Sequence, residues 1–260
     1  MRGPARGDGN RLRYHRGVPR SAARRRAGTG DVRIDGTRID MYRHATALEY
    51  FRMLVEDDDS IPLLEAAASI AQDAHPALDL QAVLVRFDRL AGELADACRS
   101  ASTETARLQR TLRFYFGTQG FAGNAEAYDE ADNSYLHRVL ETRRGIPISL
   151  AVLFVELAGH VGLDADGVAF PGHFLVRVNL REGIVVVDPF TGESLDRDEL
   201  ERRAAPHGVE AERLLGPASD RQVLVRMLNN LRAIHARRGQ AALLSKVEAR
   251  LRILGVEAGR

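Results

Sequence analysis

The sequence predicts an α+β fold, and three observations predict it. Helical stripes fill the roughly eighty residues after Met41, an almost wholly apolar helix occupies 148–161, and alternating apolar segments between Val168 and Val187 read as strands. A buried helix followed by short strands gives a helix-on-sheet core, with a helical layer ahead of it. The 260 residues, 45% of them hydrophobic, suffice for one large domain or two modest ones.

Charge is unevenly distributed. Residues 1–40 hold eleven Arg against four Asp, a net of +7, which leaves −6 for the rest of a chain whose total is +1. The Gly- and Arg-rich stretch has almost no apolar residues and cannot build a packed core. It reads as a disordered tail, as an Arg-rich arm for RNA or anionic surfaces, or as translated sequence upstream of a true start at Met41. The last reading is favoured, because periodicity begins directly after Met41. The acidic remainder is no obvious nucleic-acid binder. No apolar run approaches the roughly 18 residues of a membrane span, and no secretory signal follows the N-terminal arginines. A single cysteine, Cys98, permits neither an internal disulfide nor a cysteine metal cluster, so the expected compartment is the reducing cytoplasm.

Tyr42 to Val55 carries a helical stripe at Leu48, Phe51 and Val55. Asp57–Ser60 supplies a turn and an N-cap, with Pro62 in the first turn of the next helix. A third helix, Leu80 to Cys98, lines up Leu80, Val83, Leu84, Phe87, Leu94 and Cys98, which makes Cys98 a small core residue. A fourth runs from Thr103 to Phe116. After a loop over 121–132, Asn133-Ser134 is expected to cap a helix with Leu136, Val139 and Leu140 inward and His137 at the surface. Arg143-Arg144-Gly145 ends it, with the glycine as terminator. Pro147 fits the first turn of the following helix, which is apolar nearly all round and belongs at the centre of the domain. Asp164–Gly167 is expected to close that helix. Val168–Phe170, His173–Val178 and Ile184–Val187 read as strands, the last two joined by an Arg-Glu-Gly turn. Leu195–Ala205 is a charged amphipathic helix. Val223–Arg237 and Gln240–Leu254 form a terminal hairpin with Leu228, Leu231 and Ile234 inward and Arg226, Arg232, Arg237 and Arg238 on a solvated face.

A helix start, then a histidine, then an aspartate is the order in which a Cys-His-Asp hydrolase core lays out its groups. Asn133–Leu136, Arg144-Gly-Ile-Pro-Ile-Ser-Leu150, Phe170-Pro-Gly-His173 and Asp188-Pro-Phe190, with Leu48–Phe51 and Asp59–Glu65 upstream, resemble the bacterial SirB-one proteins of the transglutaminase-like superfamily. The resemblance covers about Met41 to Leu254. It implies a papain-like transglutaminase core with a helical N-terminal part over 41–205, and a tetratricopeptide-like hairpin over 206–260. It also implies a cytoplasmic bacterial protein linked to regulation, and a related domain occurs in a eukaryotic F-box adaptor protein.

Carried over residue by residue, His173 matches the superfamily's catalytic histidine and Asp188 its aspartate, while the cysteine's place falls on Pro147. Ser149 is the candidate substitute. Two residues along a helix turn a side chain by about 200°, so Ser149 points away from the thiol's place and reads as a capping or polar-stripe residue with Glu156 and His160. Strand alternation sets His173 with Leu175 and Arg177, on the less apolar face. Two readings of different class follow: a pseudoenzyme or regulatory module that holds another protein, or an acyl-transfer or hydrolytic enzyme in which His173 and Asp188 activate Ser149, water or a substrate hydroxyl. No phosphate loop, dinucleotide fingerprint or metal-ligand spacing appears, so no cofactor is implied.

Overall fold

The computed structural model describes residues 45–257, so the Arg-rich stretch 1–40 and the proposed start at Met41 lie outside the described residues. Helix α1, Ala47–Leu54, opens on Thr46 with a reciprocal capping box to Glu49. Asp57 caps a separate 3-10 turn, Asp58–Ser60, so Ser60 does not start the next helix as expected; α2, Leu63–Ser69, begins on Pro62 and tightens into a 3-10 turn over Ile70–Asp73. Helix α3 spans Leu80–Cys98 as its stripe predicts, capped by Asp79. Helix α4, Glu104–Leu112, starts on Thr103 and widens into a π-type turn over Arg113–Thr118. That widening presents Tyr115, fully buried, to the Leu150 carbonyl at 2.9 Å.

Four expectations for the middle of the chain need correction. Strand β1, Ala122–Gly123, lies inside the expected loop. Helix α5, Leu136–Thr142, starts on Tyr135 with no side-chain cap. Asn133 and Ser134 sit in the preceding 3-10 turn, and Asn133 spends its carboxamide on Asn124 and on the Ala127 and Tyr128 carbonyls. His137 is buried at 8% exposure rather than on the surface, its ring packed against His75 at 4.7 Å. Arg143, not Gly145, takes the left-handed conformation that ends α5 (φ 61°). Gly145 instead lies in β2, Arg144–Gly145, where a Cβ would meet the Ser149 hydroxyl oxygen at 2.7 Å.

Helix α6, Pro147–His160, is the centre of the molecule, with every residue from Pro147 to Ala158 buried except Glu156. Gly162 (φ 72°) follows it, and Asp164–Gly167 belongs not to its closing turn but to strand β3, Asp164–Val168. Strands β4, Leu175–Leu180, β5, Gly183–Val187, and β6, Ser194–Leu195, complete an antiparallel sheet in the order β3-β4-β5-β6. Phe174, Val176 and Val178 face α6, as alternation predicts. The opposite face is not open: Leu175 joins Val168, Phe170 and Val186 in a second core roofed by α7, Arg197–Ala204, and α8, Ala211–Leu214. Leu195, expected in the charged helix, is in β6.

Helices α9, Asp220–Arg237, and α10, Ala241–Ile253, form the terminal hairpin, and Val223, Met227, Leu228, Leu231, Val247 and Leu251 join the main core. Its deepest anchor is Arg250, fully buried, which grips Asp73 through Nε at 2.6 Å and Nη2 at 3.1 Å, reaches the Ser69 carbonyl and lies over the Phe51 ring. The planar guanidinium suits this bidentate, stacked site as a lysine would not. Among the described residues, no helix is long and apolar enough to cross a membrane.

Truncating Arg250 leaves Asp73 facing an apolar gap, so Arg250→Ala is expected to lower stability by about 3–5 kcal/mol in urea unfolding. Arg237→Ala, which breaks an exposed pair with Asp129, is expected to cost under about 1 kcal/mol. Burial, reinforced by His75, lowers the His137 pKa below its usual 6.5. Below that value the unfolded imidazole takes up a proton the folded one resists, so stability is lost as pH falls through 6.5. Melting temperature should therefore drop between about pH 7.5 and about pH 5.5, and less so in His137→Gln.

Candidate functional site

His173 does not sit on the strand but in the turn that leads into β4. Its amide donates to the Phe170 carbonyl at 3.0 Å, with Pro171 second and Gly172 third in the turn at φ 70°. Proline then glycine with positive φ is the signature of a type II turn, since only glycine occupies that region without strain. The turn swings the imidazole clear of the second core and leaves its side chain 26% exposed.

Asp188 follows the last residue of β5 and is 2% exposed. Its carboxylate accepts three hydrogen bonds: from His173 Nε2 at 2.9 Å, from the Phe190 amide at 2.9 Å and from Arg203 Nη1 at 3.0 Å. An ionised carboxylate only accepts, so Nε2 carries the proton and Nδ1 is the ring nitrogen left open. Burial pushes the Asp188 pKa up, but the His173 hydrogen bond and charge, Arg203 and the Phe190 amide outweigh it and hold the group at about 2. Arg203 was not legible as a site residue. It lies on charged α7, four residues after Glu199, with which it also pairs, so in sequence it reads as one half of a surface ion pair.

The Asp188 loop and the tip of α6 are stitched together by backbone. The Gly123 amide donates to the Phe190 carbonyl at 2.9 Å, and β1 pairs in parallel with β2, two residues ahead of Pro147. Gly123 admits no side chain, because a Cβ would fall 2.3 Å from the Phe190 ring. Pro147 is the first residue of α6 and carries no reactive atom. Ser149, two residues on, is fully buried and accepts from the Ile146 amide at 3.2 Å. Its hydroxyl points to the Asn133 carbonyl at 2.6 Å, with the Ile146 carbonyl next at 3.0 Å. The dyad is brought together, and Ser149 is not among its partners. Cys98 is buried elsewhere, between α3 and α4 beside Thr111. Among the described residues no group of three or more His, Cys, Asp or Glu could hold a metal ion.

An antiparallel sheet against a buried helix, with an imidazole and a carboxylate paired at the sheet's end, defines a transglutaminase-like class. The family model described as the transglutaminase-like superfamily matches residues 81–229. A UPF0162 protein of Xylella fastidiosa is 41% identical over 192 residues, covering 69% of this chain and 67% of its own length. A UPF0162 protein of Pseudomonas aeruginosa is 32% identical over 197 residues, covering 74% and 72%. F-box only protein 21 of Mus musculus is 36% identical over 128 residues, 46% of this chain and 20% of its own. No solved structure matches the chain significantly. The chain belongs to the transglutaminase-like superfamily and, within it, to the family of these UPF0162 proteins.

Asp188 takes its proton at higher pH in the unfolded chain than in the folded one. Its contribution, about 2 kcal/mol for a shift from 3.8 to about 2, is therefore fully present above pH 4 and lost as pH falls towards 2. Acid unfolding followed by circular dichroism should show that loss, and Asp188→Asn should flatten the profile across the same window.

Proposed function

We propose that this chain is a non-catalytic module of the transglutaminase-like superfamily that binds another protein, in a regulatory role, through the surface around His173 and the terminal hairpin. One observation carries the reading: the hydroxyl two residues after the expected nucleophile position, that of Ser149, is fully buried and committed to the backbone that starts α6. Such a hydroxyl satisfies helix-start groups, and freeing it for attack would take a second partner from the Ile146 amide and the Asn133 carbonyl, leaving them only their mutual bond at 3.3 Å. The region shared with F-box only protein 21 makes up only a fifth of that protein, which fits use as a unit within larger assemblies. In this reading Pro147 stands where a thiol would, and the His173–Asp188 pair holds the turn over 170–173 against β5 and α7.

A second reading keeps some support from the ring itself. His173 is partly exposed, its Nε2 is fixed by an ionised carboxylate, and Nδ1 is open to act as a general base towards a bound water or a substrate hydroxyl. The two readings separate in one experiment, which measures amine incorporation and amide hydrolysis with wild type and His173→Ala. Both proteins are expected to match the buffer blank; wild-type turnover that disappears in His173→Ala would establish the enzyme instead. Ser149→Ala is expected to lower stability by about 1–2 kcal/mol and to change neither assay.

A further inference from the structure

A groove of about 610 Å³ lies between the segment after β3, the segment linking α8 to α9, and the first turns of α9. Its apolar surface comes from Ala169, Leu214, Pro217, Val225 and Leu254. Its walls are fixed: the Ala218 amide donates to the Gly167 carbonyl at 2.8 Å, and Arg177 Nη1 to the Leu215 carbonyl at 3.0 Å. Arg221 is committed to Asp58 and, at 2.8 Å, to the Val55 carbonyl. Arg213 and Arg226, both exposed, have no hydrogen-bond or ion-pair partner among the described residues. No carboxylate lines the groove, although residues 45–257 carry 32 acidic against 24 basic side chains, a net of −8. A cationic apolar recess on an acidic body is a selective feature of the surface.

We propose that this groove binds an extended acidic peptide segment of a partner protein. The proposal rests on the binding-module reading and names the partner's chemistry. Carboxylates answer Arg213 and Arg226, and apolar side chains between them answer the groove's surface. The carboxamide oxygen of Asn229, also in the lining, is buried without a donor, and a peptide N–H supplies one. A DNA backbone offers phosphate acceptors and no such donor, and the acidic body repels any polyanion. Ala169, in the lining, directly precedes the Phe170–His173 turn in the chain.

Binding can be read by fluorescence polarisation with the full chain and three labelled probes. These are a pool of decapeptides mixing Glu and Asp with apolar residues, the matched pool with Lys in place of the acids, and a single-stranded oligodeoxynucleotide. The acidic pool is expected to bind, and the Arg213→Gln/Arg226→Gln variant to weaken it by about tenfold or more, with melting temperature unchanged because both side chains are exposed. Added salt should weaken it further. Equal binding of the Lys pool, preferential binding of the oligonucleotide, or indifference to the double substitution would each overturn the proposal. Should the acidic pool fail while His173→Ala has no activity to remove, the groove assignment falls and the binding-module reading stands. Wild-type turnover lost in His173→Ala defeats that reading whatever the peptides do.

Discussion

The near-complete burial of α6 is the constraint from which the rest of the structure follows. A helix that is apolar nearly all round must be enclosed, and here α2, α3, α5, α9 and the sheet all pack around it. Enclosure has a consequence at the helix start, where the first amides and nearby carbonyls have no intrahelical partners and little water to turn to. Proline at the first position removes one donor, and Ser149 satisfies the Ile146 amide and the Asn133 carbonyl. The chemistry at the α6 tip is thus set by the needs of a buried terminus.

What could be read from sequence divides along the same physical line. Long elements with one apolar stripe, such as α3, emerge with their ends correct, because burial and periodicity carry the same message over many residues. Short polar pieces do not. Asp164–Gly167 looks like a turn by composition, yet it is a strand because β4 supplies its hydrogen bonds, and no local residue announces that. Asn133-Ser134 looks like a helix cap, yet the Asn133 side chain is drawn off to order the loop over 124–130. His137 lies beside an apolar stripe, and whether such a residue is wet depends on what packs against it, here His75 and Tyr135. In each case tertiary contact overrides the local signal.

For the candidate site, the pairing of His173 with Asp188 was legible through motif and order, while its setting was not. Strand alternation placed the ring on an open sheet face. That face is covered by α7 and α8, and the ring reaches solvent only because Pro171-Gly172 turns the chain before β4 begins. The terminal hairpin shows the same limit: its apolar stripe could be read, but the arginine that locks it, Arg250, looks in sequence like any other charge on a basic helix face. Its buried setting comes from Asp73 and Phe51, both nearly two hundred residues away.

Arg203 bears most directly on what the dyad can do. A carboxylate assists a histidine base by stabilising the imidazolium that forms when the ring takes up a proton. Asp188 already faces a guanidinium at 3.0 Å through its other oxygen. The positive charge of Arg203 compensates the carboxylate from the side opposite the imidazole, so Asp188 is shared between two donors rather than reserved for the ring. The same three groups join the His173 turn, the end of β5 and α7, and they hold that corner whether or not a proton ever moves. That clamp on three segments is what the non-catalytic reading proposed above rests on at this corner.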